Sequence, residues 1–155
     1  MPTMYWEDFA IVCRRLHGEH VVSAADILAF GREFGPQAVY TGPGACTHEG
    51  DGTALADGLQ MTGWCMRMLV DNVLNKAACM GSPGVESLRW IRPVQPGDRL
   101  AVRSTVLDRR PSGSRPEMGL VQARFEVVDL HDATVMDMTS HIMFRRRPTP
   151  VGAIS

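Results

Sequence analysis

Between Leu59 and Met80 the sequence can hardly be anything but a buried helix. Leu59, Met61, Trp64, Cys65, Met68, Leu69, Val73, Leu74, Ala77 and Ala78 surround most of a helical circumference. Gln60, Arg67, Asp71 and Asn75 fall on one narrow polar stripe, where Arg67 and Asp71, four apart, are placed to pair. A helix apolar on so many sides has to be wrapped by other elements. At full length it would run roughly 30 Å, the width of a small domain. Its interior charges, Arg67, Asp71 and Lys76, exclude a membrane span. Gly81-Ser82-Pro83-Gly84 is expected to end it.

The C-terminal half of the chain reads as the wrapping. Val85 to Ile91 predicts a strand, 93–98 a turn, and Arg99 to Asp108 a second strand carrying Leu100, Val102, Val106 and Leu107. Residues 111–117 form a connecting loop. Gly119 to Leu130 alternates, with Val121, Ala123, Phe125 and Val127 on one face, and Thr134 to Arg146 alternates again, with Met136, Met138, Ile142 and Phe144 inward. His131-Asp132 supplies the turn between them. Period-two runs with short connections pair antiparallel. The fold class is therefore α+β: a long central helix wrapped by a curved antiparallel sheet. One helix cannot cover both faces of that sheet, so a second chain is expected on an open face or edge, most simply as a homodimer. The 155 residues suffice for one domain, 1–155, with a tail over 148–155.

Before the long helix, Ser23 with Asp26 predicts a capped short helix ending at Phe34, with Ile27, Phe30 and Phe34 on one face and Gly35-Pro36 as its stop. Residues 35–58 are then dense in glycine and proline. They read as a long loop, which in a compact domain points to function. A formal charge of −1 offers no electrostatic case for nucleic acid or for an anionic membrane surface. MPTMYWEDFA lacks the pattern of a secretory leader, and Cys13, Cys46, Cys65 and Cys79 form no CxxC pair. Reduced thiols in the cytoplasm are the expectation.

WEDF at 6–9, the helix to Phe34 followed by FGPQ, DGLQMTGW at 57–64, RWIRPVQPGDRL at 89–100, SRP at 114–116 and RRRP at 145–148 occur in the order and spacing of one family. On these pieces, spread from Trp6 to Pro148, the chain resembles the MaoC-like dehydratases, the enoyl-CoA hydratase group of hotdog proteins. The resemblance implies an acyl-CoA or acyl-carrier thioester as substrate or ligand, no other cofactor, and a dimer. In active members a Phe-Asp-Pro-x-x-x-His pattern supplies the Asp and His that move protons as water adds to, or leaves, a 2-enoyl thioester. A backbone N–H at the start of the central helix stabilises the thioester oxygen.

Here the corresponding stretch is Phe34-Gly35-Pro36-Gln37-Ala38-Val39-Tyr40. The Asp position holds Gly35, which transfers no proton. The His position holds Tyr40, a poor base at neutral pH. Gly58, Thr62 and Gly63 keep the small-residue helix start that the family uses for the oxyanion. Three loop residues have the chemistry to replace the dyad: His48, Asp51 and Asp57, the last also placed to act as a helix N-cap. Cys46 with His48 is too small a set for zinc, and no other histidine has ligand spacing, so no metal is expected. Cys65 and Trp90 read as core. Arg109, Arg110 and Arg115, flanking a loop, are candidates for the phosphates of coenzyme A.

Three functions are open on these residues. The chain is a thioester-binding hydratase or dehydratase with relocated groups. Alternatively it is a silent partner subunit in a hetero-oligomer with a dyad-bearing homologue. The relocated groups would serve equally for an acyl-CoA thioesterase using a relocated base, and in the third reading the chain is structural, with no small ligand and its groove filled by methionines.

Overall fold

A computed structural model describes residues 1–35 and 55–149. Tyr40, Cys46, His48 and Asp51, with most of the 35–58 loop and positions 150–155 of the tail, lie outside the described residues. In chain order the elements are β1 (Arg14–Val21), α1 (Ala24–Phe34), α2 (Gly58–Asn72), β2 (Cys79–Trp90), β3 (Arg99–Pro111), β4 (Met118–Val128) and β5 (Thr134–Arg145), with 3-10 turns at Trp6–Asp8 and Leu74–Lys76. The five strands form one antiparallel sheet in the order β1-β3-β4-β5-β2. It curls around α2, so the α+β layout is the one observed.

The alternation read from the sequence sets the core. Met61, Cys65, Met68 and Leu69 of α2 are buried against Leu100, Val102, Val121, Phe125, Val127, Met136, Met138 and Phe144 of the sheet. Burial pushes the Cys65 thiol up to about 12, so it stays a neutral packing group. α1 begins as expected: Ser23 Oγ accepts from the Asp26 N–H at 3.1 Å. Its face is narrower than predicted. Ile27 is buried, but Phe34 is two-thirds exposed.

The central helix is shorter than the apolar run that encodes it. It ends at Asn72, whose side-chain amide donates to the Met68 carbonyl at 2.8 Å. Val73 leaves helical geometry at φ −128°, ψ −60°. The chain beyond it is claimed by other partners. The Lys76 carbonyl accepts from the N–H of Thr3 and Met4, Ala78 N–H donates to the Met4 carbonyl at 2.8 Å, and Cys79 already pairs with Phe144. Apolar periodicity alone does not separate a buried helix turn from a buried strand end, and tertiary pairing decides it.

Gly81-Ser82-Pro83-Gly84 therefore stops no helix. It lies inside β2, which is longer than the predicted Val85–Ile91. The register shifts there, with Gly81 at φ +113° and Gly84 at φ +153°. Ser82 Oγ donates to the His141 carbonyl at 2.6 Å and Ser140 Oγ to the Gly84 carbonyl at 3.0 Å, patching carbonyls that the bulge frees. Gln60 leaves the polar stripe. It is buried, its amide donating to the Asp26 carbonyl at 2.9 Å and tying α1 to α2. Arg67 and Asp71 do pair, at 2.7 Å. β1 has no counterpart among the predicted strands, because RRLHGEHV shows neither alternation nor apolar weight.

The first and last motifs of the chain meet in space. Phe9 stacks on Phe144 with centroids 4.2 Å apart. Trp6 Nε1 donates to the Leu120 carbonyl at 3.1 Å, and its ring lies so close over Gly119 that a Cβ there would overlap it. Arg109 and Arg146 sit over the Trp6 ring at 4.9 and 5.5 Å. Glu7 accepts from Arg146 and from the Arg147 N–H, and Asp8 takes both oxygens to Arg147 at 2.8 Å. WEDF and RRR are thus two halves of one clasp at the C-terminal end of α2.

Candidate functional site

At the other end of α2 the chain enters the helix through Asp57. Its backbone is extended (φ −64°, ψ 144°) and its carboxylate accepts from the Leu59 N–H at 2.7 Å. This is an N-cap in the ordinary sense, with a negative side chain at the positive end of the helix dipole. The first-turn N–H groups of a helix have no intrahelical partner. Asp57 satisfies that of Leu59.

Gly58 lies directly under the Trp90 indole, which occupies the space a Cβ would need. Trp90 Nε1 donates to Thr62 Oγ at 3.2 Å, and Thr62 Oγ donates to the Gly58 carbonyl at 2.9 Å. Trp90 is 48% exposed, so it is a surface lid on the helix start rather than a core residue. The sequence conceals this because a tryptophan on a strand reads by default as packing. Gly63, one turn into α2, is exposed and has open space where a Cβ would stand. Leu59 and Met66 share that open face and are 62% and 51% exposed.

A small cavity of about 50 Å³ adjoins this helix start. Phe30, Gly31, Phe34, Gly35, Asp57 and Leu59 line it. The structure therefore brings together two positions that lie far apart in the sequence: Gly35, from the expected Asp/His pattern, and Asp57, from the helix start. Asp57 is the one carboxylate among the described lining residues.

The basic candidates are elsewhere. Arg109 donates to the Glu7 carbonyl at 2.7 Å and the Trp6 carbonyl at 3.4 Å, holding the clasp. Arg115 donates to Glu117 at 2.8 Å in the β3–β4 loop. Arg110 is exposed and pairs in register with Leu120. Thr62 touches Met136, which is opposite Val127 on β4, whereas Arg109 is opposite Val121. Six residues of strand put these arginines about 20 Å from the helix start within one chain. Arg89 and Arg92 are the basic residues beside Trp90, and Arg92 is bound to Asp129.

Two histidines that the sequence left without a role are partly buried. His20 stacks on Trp64 at 4.5 Å, and His17 Nε2 lies 2.7 Å from Ser104 Oγ. Burial lowers the pKa of both. Arg15 and Lys76 add to the effect at His17, while Asp26 opposes it at His20. Among the described residues no three His, Cys, Asp or Glu side chains converge as a metal site, and no helix is long and apolar enough to cross a membrane.

No protein-family model and no curated protein sequence matches the chain. Solved structures do. A MaoC-like dehydratase from Rhodospirillum rubrum is 34% identical with a TM-score of 0.83, over 94% of this chain and 99% of that one. The unliganded (R)-hydratase PhaJ1 from Pseudomonas aeruginosa is 18% identical with a TM-score of 0.73, over 98% and 96%. A Mycobacterium tuberculosis protein with a double hotdog fold is 18% identical with a TM-score of 0.75. There the match covers 97% of this chain and 46% of the longer one.

Proposed function

Because the chain belongs to the MaoC-like dehydratases and has their hotdog fold, we propose that it binds an acyl or enoyl thioester at the N-terminal end of α2. The observation that carries this is the cavity shared by Gly35, Asp57 and Leu59, set against a helix start whose Gly63 face is open. A thioester carbonyl approaching there meets the positive end of the helix dipole and first-turn N–H groups, the electrostatics that stabilise an enolate-like oxygen. Phe30, Phe34 and Leu59 offer apolar surface to an acyl chain.

Proton transfer is the second requirement of hydration, and Gly35 cannot meet it. Asp57 is the described carboxylate within the cavity, so a chain that hydrates alone does so through Asp57, or through Tyr40, His48 or Asp51, which lie outside the described residues. The substitution at Gly35 also favours a second reading, a thioester-binding partner subunit whose dyad comes from a homologue. The same carboxylate activating water directly would make a thioesterase.

Pairing with a second copy fits the same surface. β2 is an edge strand, Val85, Trp90 and Ile91 at it are about half exposed, and Leu59 and Met66 of α2 are exposed as well. The free thiols Cys13, Cys65 and Cys79 support a reducing, cytoplasmic setting.

The test combines binding and turnover. Crotonyl-CoA and longer enoyl-CoAs are expected to raise the melting temperature, because they bind the native state. Hydration by the pure chain that falls at least about tenfold in Asp57→Asn or His48→Ala assigns a relocated base. Binding without hydration assigns the partner role. No thermal response to any acyl-CoA overturns the thioester reading itself.

A further inference from the structure

We propose that a second cavity, between the C-terminal half of α2 and the β1–β3 edge, binds a short aliphatic carboxylate, with its head at His17, Ser104 and Arg15 and its tail inside the sheet. Two adjoining spaces of about 40 Å³ each share Phe9, Val73, Ser104 and Val106 as a common wall. The inner one is otherwise apolar, reaching Leu69 and Phe125. Each is large enough for about three water-sized groups, so together they take a tail of roughly four to six carbons. An apolar recess with a few convergent polar groups at its mouth is the usual form of a small-ligand site.

The mouth is built by strand geometry. Arg15 and His17 are two apart on β1 and so share a face, and Arg15 stands opposite Ser104 on β3. His17 Nε2 and Ser104 Oγ are 2.7 Å apart, a hydrogen-bonding pair at the rim. Arg15 is exposed and has no ion pair among the described residues. Lys76 is near enough for its charge to act on His17. Asp8 also lines the mouth, but its oxygens are occupied by Arg147 and by the Tyr5 N–H at 2.8 Å. The remaining field is positive, which selects an anionic head over a neutral one. This site is on the clasped end of α2, away from the helix start, and does not depend on the thioester reading.

The probe is hexanoate, titrated into the full chain and followed by calorimetry. Saturable one-to-one binding with a Kd on the order of 1 mM is expected, with hexan-1-ol at least about tenfold weaker. Arg15→Ala, at an exposed position, should weaken hexanoate about tenfold. Val106→Phe, which fills the shared wall, should abolish binding while its thermal unfolding stays cooperative. Both variants should keep the wild-type response to crotonyl-CoA, so the two sites fail separately. Equal affinity for hexanoate and hexanol, no effect of Arg15→Ala, or no saturable binding by about 10 mM would leave only a packing void and overturn the assignment.

Discussion

Around the C-terminal half of α2 the chain closes on itself: Trp6 on Gly119, Phe9 on Phe144, and Glu7 and Asp8 on Arg146 and Arg147. Around the N-terminal half, among the described residues, it leaves Leu59, Gly63 and Met66 exposed and covers Gly58 with a half-exposed Trp90. Both ends place a glycine beneath a tryptophan, Gly119 under Trp6 and Gly58 under Trp90, but the open end adds Gly63, over which no described residue lies. At Gly119 the absent side chain makes room for a ring that locks the termini to the sheet. At Gly63 the absent side chain leaves space that no described residue fills. The stable end anchors the sheet, and the open end is where small residues, a helix dipole and a carboxylate converge.

The largest expected effect breaks the closed end. Gly119→Ala should expel the Trp6 ring, removing its hydrogen bond to Leu120 and its contacts with Arg109 and Arg146. A loss of about 3 kcal/mol is expected, read as a lower urea midpoint at unchanged slope. An unaltered midpoint would mean that the clasp contributes little.

Next comes the sheet's outer face, at the level of the open end. Arg103 meets Glu126 through two hydrogen bonds of 3.0 and 3.1 Å, with Asp132 on its other side and Thr134 donating to Glu126. The hydrogen bond from Arg103 holds the Glu126 carboxyl below its ordinary value of 4.5, against the cost of burial. A lowered carboxylate pKa gives stability that is fully present above the unfolded value and is lost as pH falls through the folded one. Acid unfolding should therefore steepen below about pH 4.5. Glu126→Gln should cost about 2 kcal/mol at pH 7 and make that acid limb shallower, as measured by thermal melts across pH.

How legible each end was in the sequence depends on what encodes it. The β4–β5 alternation is local, so Val121 to Phe144 declare their inward face without help. The length of α2 is not local: residues 73–80 are as apolar as the helix, and the N-terminal segment and β5 claim them. Of the site, Asp57 as a cap and the small residues at 58 and 63 were readable from spacing and dipole. Trp90 was not, since its position over Gly58 depends on how β2 runs past the helix start. The contacts of Arg109 were hidden in the same way. Its charge suggests a phosphate, and within the chain it donates to the Glu7 and Trp6 carbonyls, contacts that depend on where the N-terminal segment packs.

Gly63→Ala sharpens the comparison from the other side. A Cβ at Gly63 meets nothing among the described residues, and alanine is the better helix former. The single chain should gain about 0.5–1 kcal/mol. If the open face receives a thioester or a second copy, the same methyl group should weaken that association, so thermal stability rises while acyl-CoA binding or dimer content falls. A gain in stability with both associations intact would make Gly63 incidental to the open end.

The smallest effect separates the two roles of Asp57. As an N-cap it needs only an acceptor for the Leu59 N–H, and asparagine supplies one. Asp57→Asn should therefore change unfolding stability by only a few tenths of a kcal/mol, whereas Asp57→Ala should lose about 1 kcal/mol. As a proton-transfer group it needs a carboxylate, which asparagine lacks. Urea titrations and enoyl-CoA hydration measured on the same two variants then give distinct patterns. A pure cap leaves the asparagine variant normal in both assays. A catalytic carboxylate leaves it stable and slow, which would locate chemistry at the open end even though Gly35 supplies none.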